Sequence, residues 1–298
     1  MKLLIIEKWL HHKNKIGLSL MLEYIKNYNL IDNFSYYYGT VNDLKNNKWD
    51  IVFSPATPIQ TNKFSKTKFI FGPHFSVFPN QMLSLIKNQY KNAVYIQPSE
   101  WCSEIWRSMG AETILPIITQ SFAVDTEKFA SLDLLTKRNK IMIYYKRRTE
   151  TELNMLENFL REKKLDYKLF NYVEKYEEQD YLTTLQTAKF MIVLDAHESQ
   201  GFALHEAMSC NVPLLVWSVR SMNQEIGANH PDFTATTVPY WSDKCGEIFY
   251  KWNEFENTFN VFLKNIKNEK YKPRQFILET LSAKPCGEKF LTLINNIE

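Results

Sequence analysis

The stretch ESQGFALHEAM, residues 198–208, follows directly on the apolar run FMIVLD at 190–195. The run predicts a buried strand and the apolar residues after Gly201 predict a helix, so the stretch marks a strand–turn–helix junction. In open α/β sheets, ligands bind at the carboxyl ends of strands, where the free N–H groups of the following helix converge. The N–H groups of residues 201–203 therefore form a candidate phosphate site.

Two glutamates flank this turn, Glu198 before it and Glu206 within the helix. In one interpretation Glu198 is only a partner of the helix dipole and Glu206 is a surface residue. The residues around Glu206 are mostly apolar, however, so that its carboxylate would be partly buried and would need a partner. If it faces a ligand, it can accept hydrogen bonds from ribose hydroxyls, as acidic residues do in nucleotide-binding folds, while Glu198 lies nearer the sugar.

Strand and helix patterns alternate on both sides of the junction, which predicts parallel βαβ units. In the first series we predict strands at 2–7, 33–39, 50–55, 68–79, 93–99 and 112–119, a polar loop at 8–17, and helices at 18–28, 81–90 and 100–110. In the second we predict strands at 140–145, 166–173, 189–195 and 213–219, helices at 149–164, 179–188 and 202–210, and aromatic-rich helix over residues 239–298. The polar segment 121–139 between the two series is interpreted as an interdomain connection, because 298 residues exceed one compact core.

Composition excludes several classes of protein. The net charge of +3 is spread along the chain, and no basic stripe typical of nucleic-acid binding is present. The four cysteines have no CxxC spacing, which argues against zinc and favours a reducing compartment. The apolar run at 3–6 is too short for a signal peptide or a membrane span. We predict a cytoplasmic protein, in the host cytoplasm if its glycine-poor, Asn-, Lys- and Tyr-rich composition reflects a virus; the oligomeric state is left open.

Three consecutive cations, Lys146, Arg147 and Arg148, follow the predicted strand 140–145. Arginine binds phosphate oxygens through paired hydrogen bonds and lysine adds a point charge, so the triplet is a candidate diphosphate site. Acids at 150 and 152 in the first helical turn could instead neutralise it internally. The chain contains no DxD triplet, an acidic pair that can hold a divalent metal on a diphosphate.

The segment HESQGFALHEAMSCNVPLLVW, residues 197–217, resembles the E-x7-E segment of retaining GT-B glycosyltransferases, the GT4-like glycosyl transferases group 1. Residues 170–198 and 98–129 are similar to neighbouring parts of that family, and the resemblance covers roughly residues 95–220. It implies two Rossmann-like α/β domains whose parallel sheets face each other across a cleft. The implied domains are 1–130 on the acceptor side and 131–272 on the donor side, with a C-terminal helix, 273–298, packing back on the first domain.

The resemblance also implies roles for individual residues. Glu198 would contact the donor sugar, Glu206 the ribose, and His74 would lie near the reacting sugar carbon. The implied catalytic residues are His74, Glu198, Lys146 and Arg147; the implied donor-binding residues are Gly17, Arg148, Tyr172, Val173, Gln200, Gly201, Phe202, Ala203 and Glu206. The chain departs from the family in two places. The usual arginine and the lysine five positions later are Lys146 and Thr151 here, and the N-terminal loop has one glycine, Gly17, in place of two.

The implied reaction is metal-independent transfer of a sugar from a nucleoside-diphosphate sugar to a hydroxyl of a glycan or glycoconjugate, with retention of configuration. The nucleotide sugar is a substrate, no other cofactor is expected, and cations with helix dipoles would stabilise the leaving group. Two alternatives stay open: a nucleotide-sugar epimerase, and a non-catalytic nucleotide- or sugar-binding module on the same fold.

Overall fold

The computed structural model describes residues 1–46, 48–56, 59–74, 77–79, 92–132 and 138–297. The chain divides into unit 1, Met1–Asp125 with Leu281–Glu298, and unit 2, Thr126–Thr280. The predicted helix over 81–90 lies outside the described residues, as do residues 133–137 of the predicted connection.

Unit 1 contains a six-stranded parallel sheet in the order β2-β1-β3-β4-β5-β6. Its strands are β1 (Lys2–Ile6), β2 (Ser35–Gly39), β3 (Ile51–Ser54), β4 (Lys68–Phe71), β5 (Ala93–Gln97) and β6 (Ile117–Thr119). The helices described between them are α1 (His12–Asn27), α2 (Val41–Asn46) and α3 (Glu100–Ser108). Every residue of β3 and β5 is buried, because helices cover both faces of a parallel sheet.

Unit 2 contains a five-stranded parallel sheet in the order β11-β10-β9-β7-β8. Its strands are β7 (Lys140–Lys146), β8 (Tyr167–Asn171), β9 (Ala188–Asp195), β10 (Leu214–Trp217) and β11 (Gly246–Phe249). Its helices are α4 (Glu150–Glu162), α5 (Glu178–Thr187), α6 (Phe202–Ser209), α7 (Trp252–Lys267) and α8 (Pro273–Thr280). The chain runs from β7 to β8 on one side and then to β9 on the other, so the order reverses between β7 and β9, where open α/β sheets bind ligands.

Two Rossmann-like units of parallel α/β structure confirm the predicted fold class. The last helix, α9 (Ala283–Asn296), belongs to unit 1 and lies against α1, since a Cβ on Gly287 would stand 2.9 Å from Tyr24 Cδ1. The units meet in sequence at 125/126 and 280/281, whereas the boundaries implied by the resemblance are 130/131 and 272/273. Of the segment 273–298, α8 therefore clusters with unit 2.

Four predicted elements differ from the structure. The strand predicted at 68–79, with a break at Gly72-Pro73, forms among the described residues only over Lys68–Phe71, as β4. The loop predicted at 8–17 contains the start of α1 at His12. The strand predicted at 112–119 is reduced to β6, after a 3-10 turn at Ala111–Thr113. Residues 239–298, predicted to be helical, also contain β11, a four-residue strand that forms by pairing with β10 and is too short to show a period.

Candidate functional site

The β9–α6 junction has the strand–turn–helix form that the sequence predicts. Gly201 precedes α6 with φ 88° and ψ 50°, a left-handed conformation that glycine adopts without the steric penalty of a Cβ. The space is not restrictive, because an added Cβ would be 3.4 Å from Glu198 Cβ. The positive φ therefore explains why glycine occupies position 201. The first N–H groups of α6 come directly after it in the chain.

Pairing in the sheet brings the cations of β7 next to the acids of β9. Lys146 and Asp195 are register partners at the carboxyl ends of the two strands. Lys146 Nζ forms an ion pair with Glu198 Oε1 and lies 3.9 Å from Asp195 Oδ2. Arg147 Nη2 lies 3.4 Å from both Asp195 Oδ1 and Glu198 Oε1, and donates a hydrogen bond to the carbonyl of His197. Lys146, Arg147 and Glu198, which are all predicted site residues, thus lie in contact with one another. Together with Asp195 they form one charged cluster.

The two acids of the cluster have opposite pKa shifts. Burial raises the pKa of Glu198, but the charges of Lys146 and Arg147 and a hydrogen bond from Asp195 outweigh it, so that the net shift is downward. Burial and the charge of Glu198 raise the pKa of Asp195 well above its usual range. At neutral pH Glu198 is therefore the anion of the pair.

Arg148 does not join its neighbours in this cluster. Its side chain is 2% exposed and its Nε lies 3.1 Å from Glu152 Oε2. Its Nη1 donates to the carbonyls of Asp195 and Trp217, both at 3.2 Å. Since Arg147 has φ 56°, the backbone turns between the two arginines and directs Arg148 beneath the Trp217 ring. These contacts give Arg148 a structural role, unlike the donor contact that the resemblance implies. The sequence signal for this role was the pair of acids at 150 and 152, of which Glu152 binds Arg148.

The remaining candidates of unit 2 lie around this edge of the sheet. Glu206 is 5% exposed and is buried within α6. Tyr172 follows β8, is 52% exposed, and its ring lies under Lys146 Nζ, 4.4 Å from the ring centre. Val173 beside it is 77% exposed. The other predicted donor contacts, Gln200, Phe202 and Ala203, belong to the loop and first turn of α6, where Tyr181 donates a hydrogen bond to the Ala203 carbonyl at 2.8 Å.

Two candidates lie in unit 1. His74 is half-buried after β4; its Nδ1 is 2.6 Å from the Tyr95 hydroxyl and its ring packs edge-on against Trp106. Burial lowers the pKa of His74 to about 4, so its imidazole is neutral at pH 7. Gly17 lies inside α1, where a Cβ would be 2.6 Å from the Ala123 carbonyl oxygen. Close packing of α1 on that backbone explains Gly17, which is not in the loop where the sequence pattern places it.

Sequence reasoning missed three members of the cluster. Asp195 is the last residue of β9, and an acid at the end of a buried strand was the available signal. His197 and Glu225 are the others: His197 Nε2 lies 2.8 Å from Glu225 Oε2, and Glu225 Oε1 is 3.9 Å from Arg147 Nε. Because Glu225 is 30 residues from Asp195 in the sequence, no local pattern connects it to the site.

Two further findings apply only to the residues the structure describes. In that part of the chain, no group of three or more His, Cys, Asp or Glu side chains is arranged to hold a metal ion. None of the helices there is both long enough and apolar enough to cross a membrane.

No protein-family model and no curated protein sequence matches the chain, but solved structures do. The lipopolysaccharide outer core galactosyltransferase WaaB, in its apo form, is 12% identical with a TM-score of 0.55, over 99% of each chain. The N-terminal domain of trehalose-6-phosphate phosphatase from Candida albicans is 10% identical with a TM-score of 0.62, over 100% of this chain and 97% of that one. TarM from S. aureus, in complex with fondaparinux, alpha-GlcNAc-glycerol and UDP, is 14% identical with a TM-score of 0.52, over 94% of this chain and 59% of TarM.

GT-B glycosyltransferases are thus among the structural neighbours of this chain. At these identities the similarity shows the fold alone. The chain has the GT-B fold, with the charged cluster at the switch point of its second sheet.

Proposed function

We propose that the protein transfers a sugar from a nucleoside-diphosphate sugar to a hydroxyl of a glycan or glycoconjugate acceptor, with retention of configuration and without a metal ion. The observation that carries this proposal is the meeting of Lys146, Arg147 and Glu198 at the switch point of the unit 2 sheet, ahead of Gly201 and α6. The GT-B fold supports it, and the neighbour TarM was solved with UDP. The cytoplasmic location predicted from the sequence is part of the proposal.

The cations account for the leaving group. As the bond between the anomeric carbon and the diphosphate breaks, negative charge grows on the departing phosphate oxygen. Lys146 and Arg147, whose side chains are 12% and 28% exposed, offset that charge. Fixed charges stabilise a developing charge more strongly where water is partly excluded. The departing oxygen takes the proton of the acceptor hydroxyl, whose oxygen bonds to the anomeric carbon from the same face, so configuration is retained.

Glu198 forms an ion pair with Lys146. This ion pair must break before Lys146 can bind the donor diphosphate. The diphosphate replaces Glu198 as the partner of Lys146, which leaves the Glu198 carboxylate to accept hydrogen bonds from the sugar hydroxyls. We assign the ribose to Glu206, the distal phosphate to the N–H groups of residues 201–203, and the border of the base to Tyr172 and Val173. His74 stays a catalytic candidate, because its neutral imidazole can hydrogen-bond a sugar hydroxyl.

Donor binding is tested with a panel of nucleoside diphosphates and nucleotide sugars in thermal-shift and calorimetric measurements. We expect at least one of them to raise the melting temperature, and Glu206→Ala to abolish its binding. The matched control is Glu256→Gln, which changes an exposed glutamate on α7 and should leave the affinity unchanged. Unchanged donor affinity in Glu206→Ala would refute the assignment of Glu206.

Turnover separates an enzyme from a binding module. A glycosyltransferase should hydrolyse its donor slowly without an acceptor, releasing the nucleoside diphosphate. Tight nucleotide binding without release of sugar or transfer to any tested acceptor would favour the binding module. Conversion of the donor to a different nucleotide sugar, followed by proton NMR of the anomeric signal, would identify an epimerase.

A further inference from the structure

Asp195 is the innermost member of the charged cluster and has no role in the proposed reaction so far. It is 0% exposed at the end of β9. Its Oδ1 accepts a hydrogen bond from the Ala196 N–H at 2.6 Å and faces Arg147. Its Oδ2 is buried and, among the described residues, finds no N–H or hydroxyl donor; Lys146 Nζ, at 3.9 Å, is beyond hydrogen-bonding distance.

The carboxyls of Asp195 and Glu198 converge on the same two cations, because Arg147 Nη2 lies 3.4 Å from an oxygen of each and Lys146 Nζ lies near both. Two carboxyls that share a buried site repel each other when both are ionised, which favours one proton on the pair. Glu198 is contacted by both Lys146 and Arg147 and its side chain is 15% exposed, which favours its ionised form. Asp195 is fully buried, and burial favours the neutral acid. The proton therefore belongs on Asp195.

The charges around the pair support the same assignment. The titratable and charged groups that face it are Tyr144, Lys146 and Arg147 from β7 and its end, His197 and Glu198 from the β9–α6 loop, and Glu225. With Asp195 neutral, the two cations are balanced by Glu198 and Glu225. With Asp195 ionised, three carboxylates would surround two cations, and a diphosphate would enter a site that already repels it.

We infer that Asp195 is a positioning residue: its carboxylic acid donates a hydrogen bond to Glu198 and so leaves Lys146 and Arg147 available to the donor diphosphate. This inference rests on the proposed function, since it concerns the same site. When the diphosphate engages the two cations, Glu198 loses their contact. The Asp195 hydroxyl then holds the Glu198 carboxylate in place.

The proton can be tested without any ligand. In protein labelled with carbon-13 at the aspartate carboxyl, NMR should show one buried carboxyl that is still protonated at pH 7. That signal should be missing from Asp195→Asn. If every aspartate carboxyl is ionised at pH 7, the inference is overturned.

The role in binding is tested by calorimetry with UDP, GDP and ADP between pH 6 and pH 9. Asp195→Asn keeps a hydrogen-bond donor of the same size without a charge. We expect Asp195→Asn to bind within about threefold of wild type at pH 7, and a loss of wild-type affinity that accompanies ionisation of Asp195 at higher pH to be absent from Asp195→Asn. Ionisation of the nucleotide phosphates is common to both proteins and cancels in the comparison. Asp180→Asn, an exposed change on α5, should follow the wild-type profile.

The outcomes separate the inference from the proposed function. A tenfold loss of affinity in Asp195→Asn at every pH, with an unchanged melting temperature, would show that binding needs the negative charge of Asp195. That result would overturn the inference. Identical pH profiles for wild type and Asp195→Asn, together with a carbon-13 spectrum in which Asp195 is ionised by pH 9, would also overturn it. Failure of all three nucleotides to bind would overturn the proposed function and the binding role, whereas the carbon-13 spectrum would still decide the proton.

Discussion

Replacing Gly17 by alanine decides between two explanations of that glycine. The resemblance implies that Gly17 contacts the donor, whereas the structure places it within α1 against the backbone of residues 122–123. An added Cβ would stand 2.6 Å from the Ala123 carbonyl oxygen and 2.8 Å from Phe122 Cβ. Both residues are fully buried, at 1% and 0% exposure, so that neither can move aside cheaply.

The size of the effect follows from two opposing contributions. Overpacking of a buried contact costs about 1–3 kcal/mol, and a clash with backbone belongs at the upper end. Alanine is favoured over glycine inside a helix by about 1 kcal/mol, which offsets part of the loss. We expect Gly17→Ala to lower the free energy of unfolding by about 1–2 kcal/mol.

Gly287→Ala on α9 is the matched comparison, because it too adds a methyl group to a helix of unit 1. The new Cβ would meet the ring of Tyr24 at 2.9 Å and the Met21 carbonyl oxygen at 3.3 Å. The half-buried tyrosine ring can shift, so the gain in helix propensity should nearly cancel the contact, leaving a change within about 0.5 kcal/mol.

The assay is urea unfolding followed by circular dichroism, with calorimetry of nucleoside-diphosphate binding on the folded variants. Packing predicts lower stability for Gly17→Ala and unchanged nucleotide affinity. Wild-type stability combined with a tenfold loss of affinity would refute this reasoning and return Gly17 to the donor site.

Three further perturbations test the site and its supports. Glu152→Gln should lower the free energy of unfolding by about 2 kcal/mol at pH 7, because it leaves the buried Arg148 without its carboxylate. Burial raises the pKa of Glu152, but Arg148 and Thr149 lower it below its ordinary value of 4.5. The stabilisation by the Glu152 carboxylate is therefore present above pH 4.5. In urea titrations the difference between Glu152→Gln and wild type should shrink as the pH falls below 4.5. Gly201→Ala should cost about 1–2 kcal/mol from the left-handed backbone alone, and Gly201→Asn less, since space is available; equal stabilities would contradict this. The ring signals of His74 should not titrate between pH 5 and pH 8 in NMR, because burial lowers its pKa to about 4. Below pH 6.5 the histidine is protonated in the unfolded chain but not in the folded one, so the stability falls with pH. A titration midpoint near 6.5 would contradict the burial argument.

The fold was predictable where one residue and its neighbours determine local structure. Gly201 stands between a buried strand and an apolar helix, and that context specifies a turn with positive φ whatever surrounds it. The start of α1 was missed because its first turn is polar and His11 before it provides no side-chain cap, so neither periodicity nor a capping signal marks the helix.

The site was predictable only in part, because side-chain direction depends on tertiary structure. Arg147 and Arg148 are adjacent and chemically identical in the sequence. The positive φ of Arg147 separates them, placing one in the cluster and the other beneath Trp217. Glu198 was found through its spacing. Asp195 had a local signal, its place at the end of a buried strand, but only the pairing of β9 with β7 brings it next to Lys146.

The discontinuity of unit 1 has a consequence for the order in which the protein is made. Contacts of residues 283–296 complete that unit: Lys68 Nζ donates to the Ile294 carbonyl at 3.1 Å and Gln120 Nε2 to the Cys286 carbonyl at 3.3 Å. A ribosome releases these residues only after all of Thr126–Thr280 has emerged. Unit 2 can therefore reach its native state during translation, while unit 1 remains incomplete, with the surface for α9 uncovered, until residues 283–296 have also emerged.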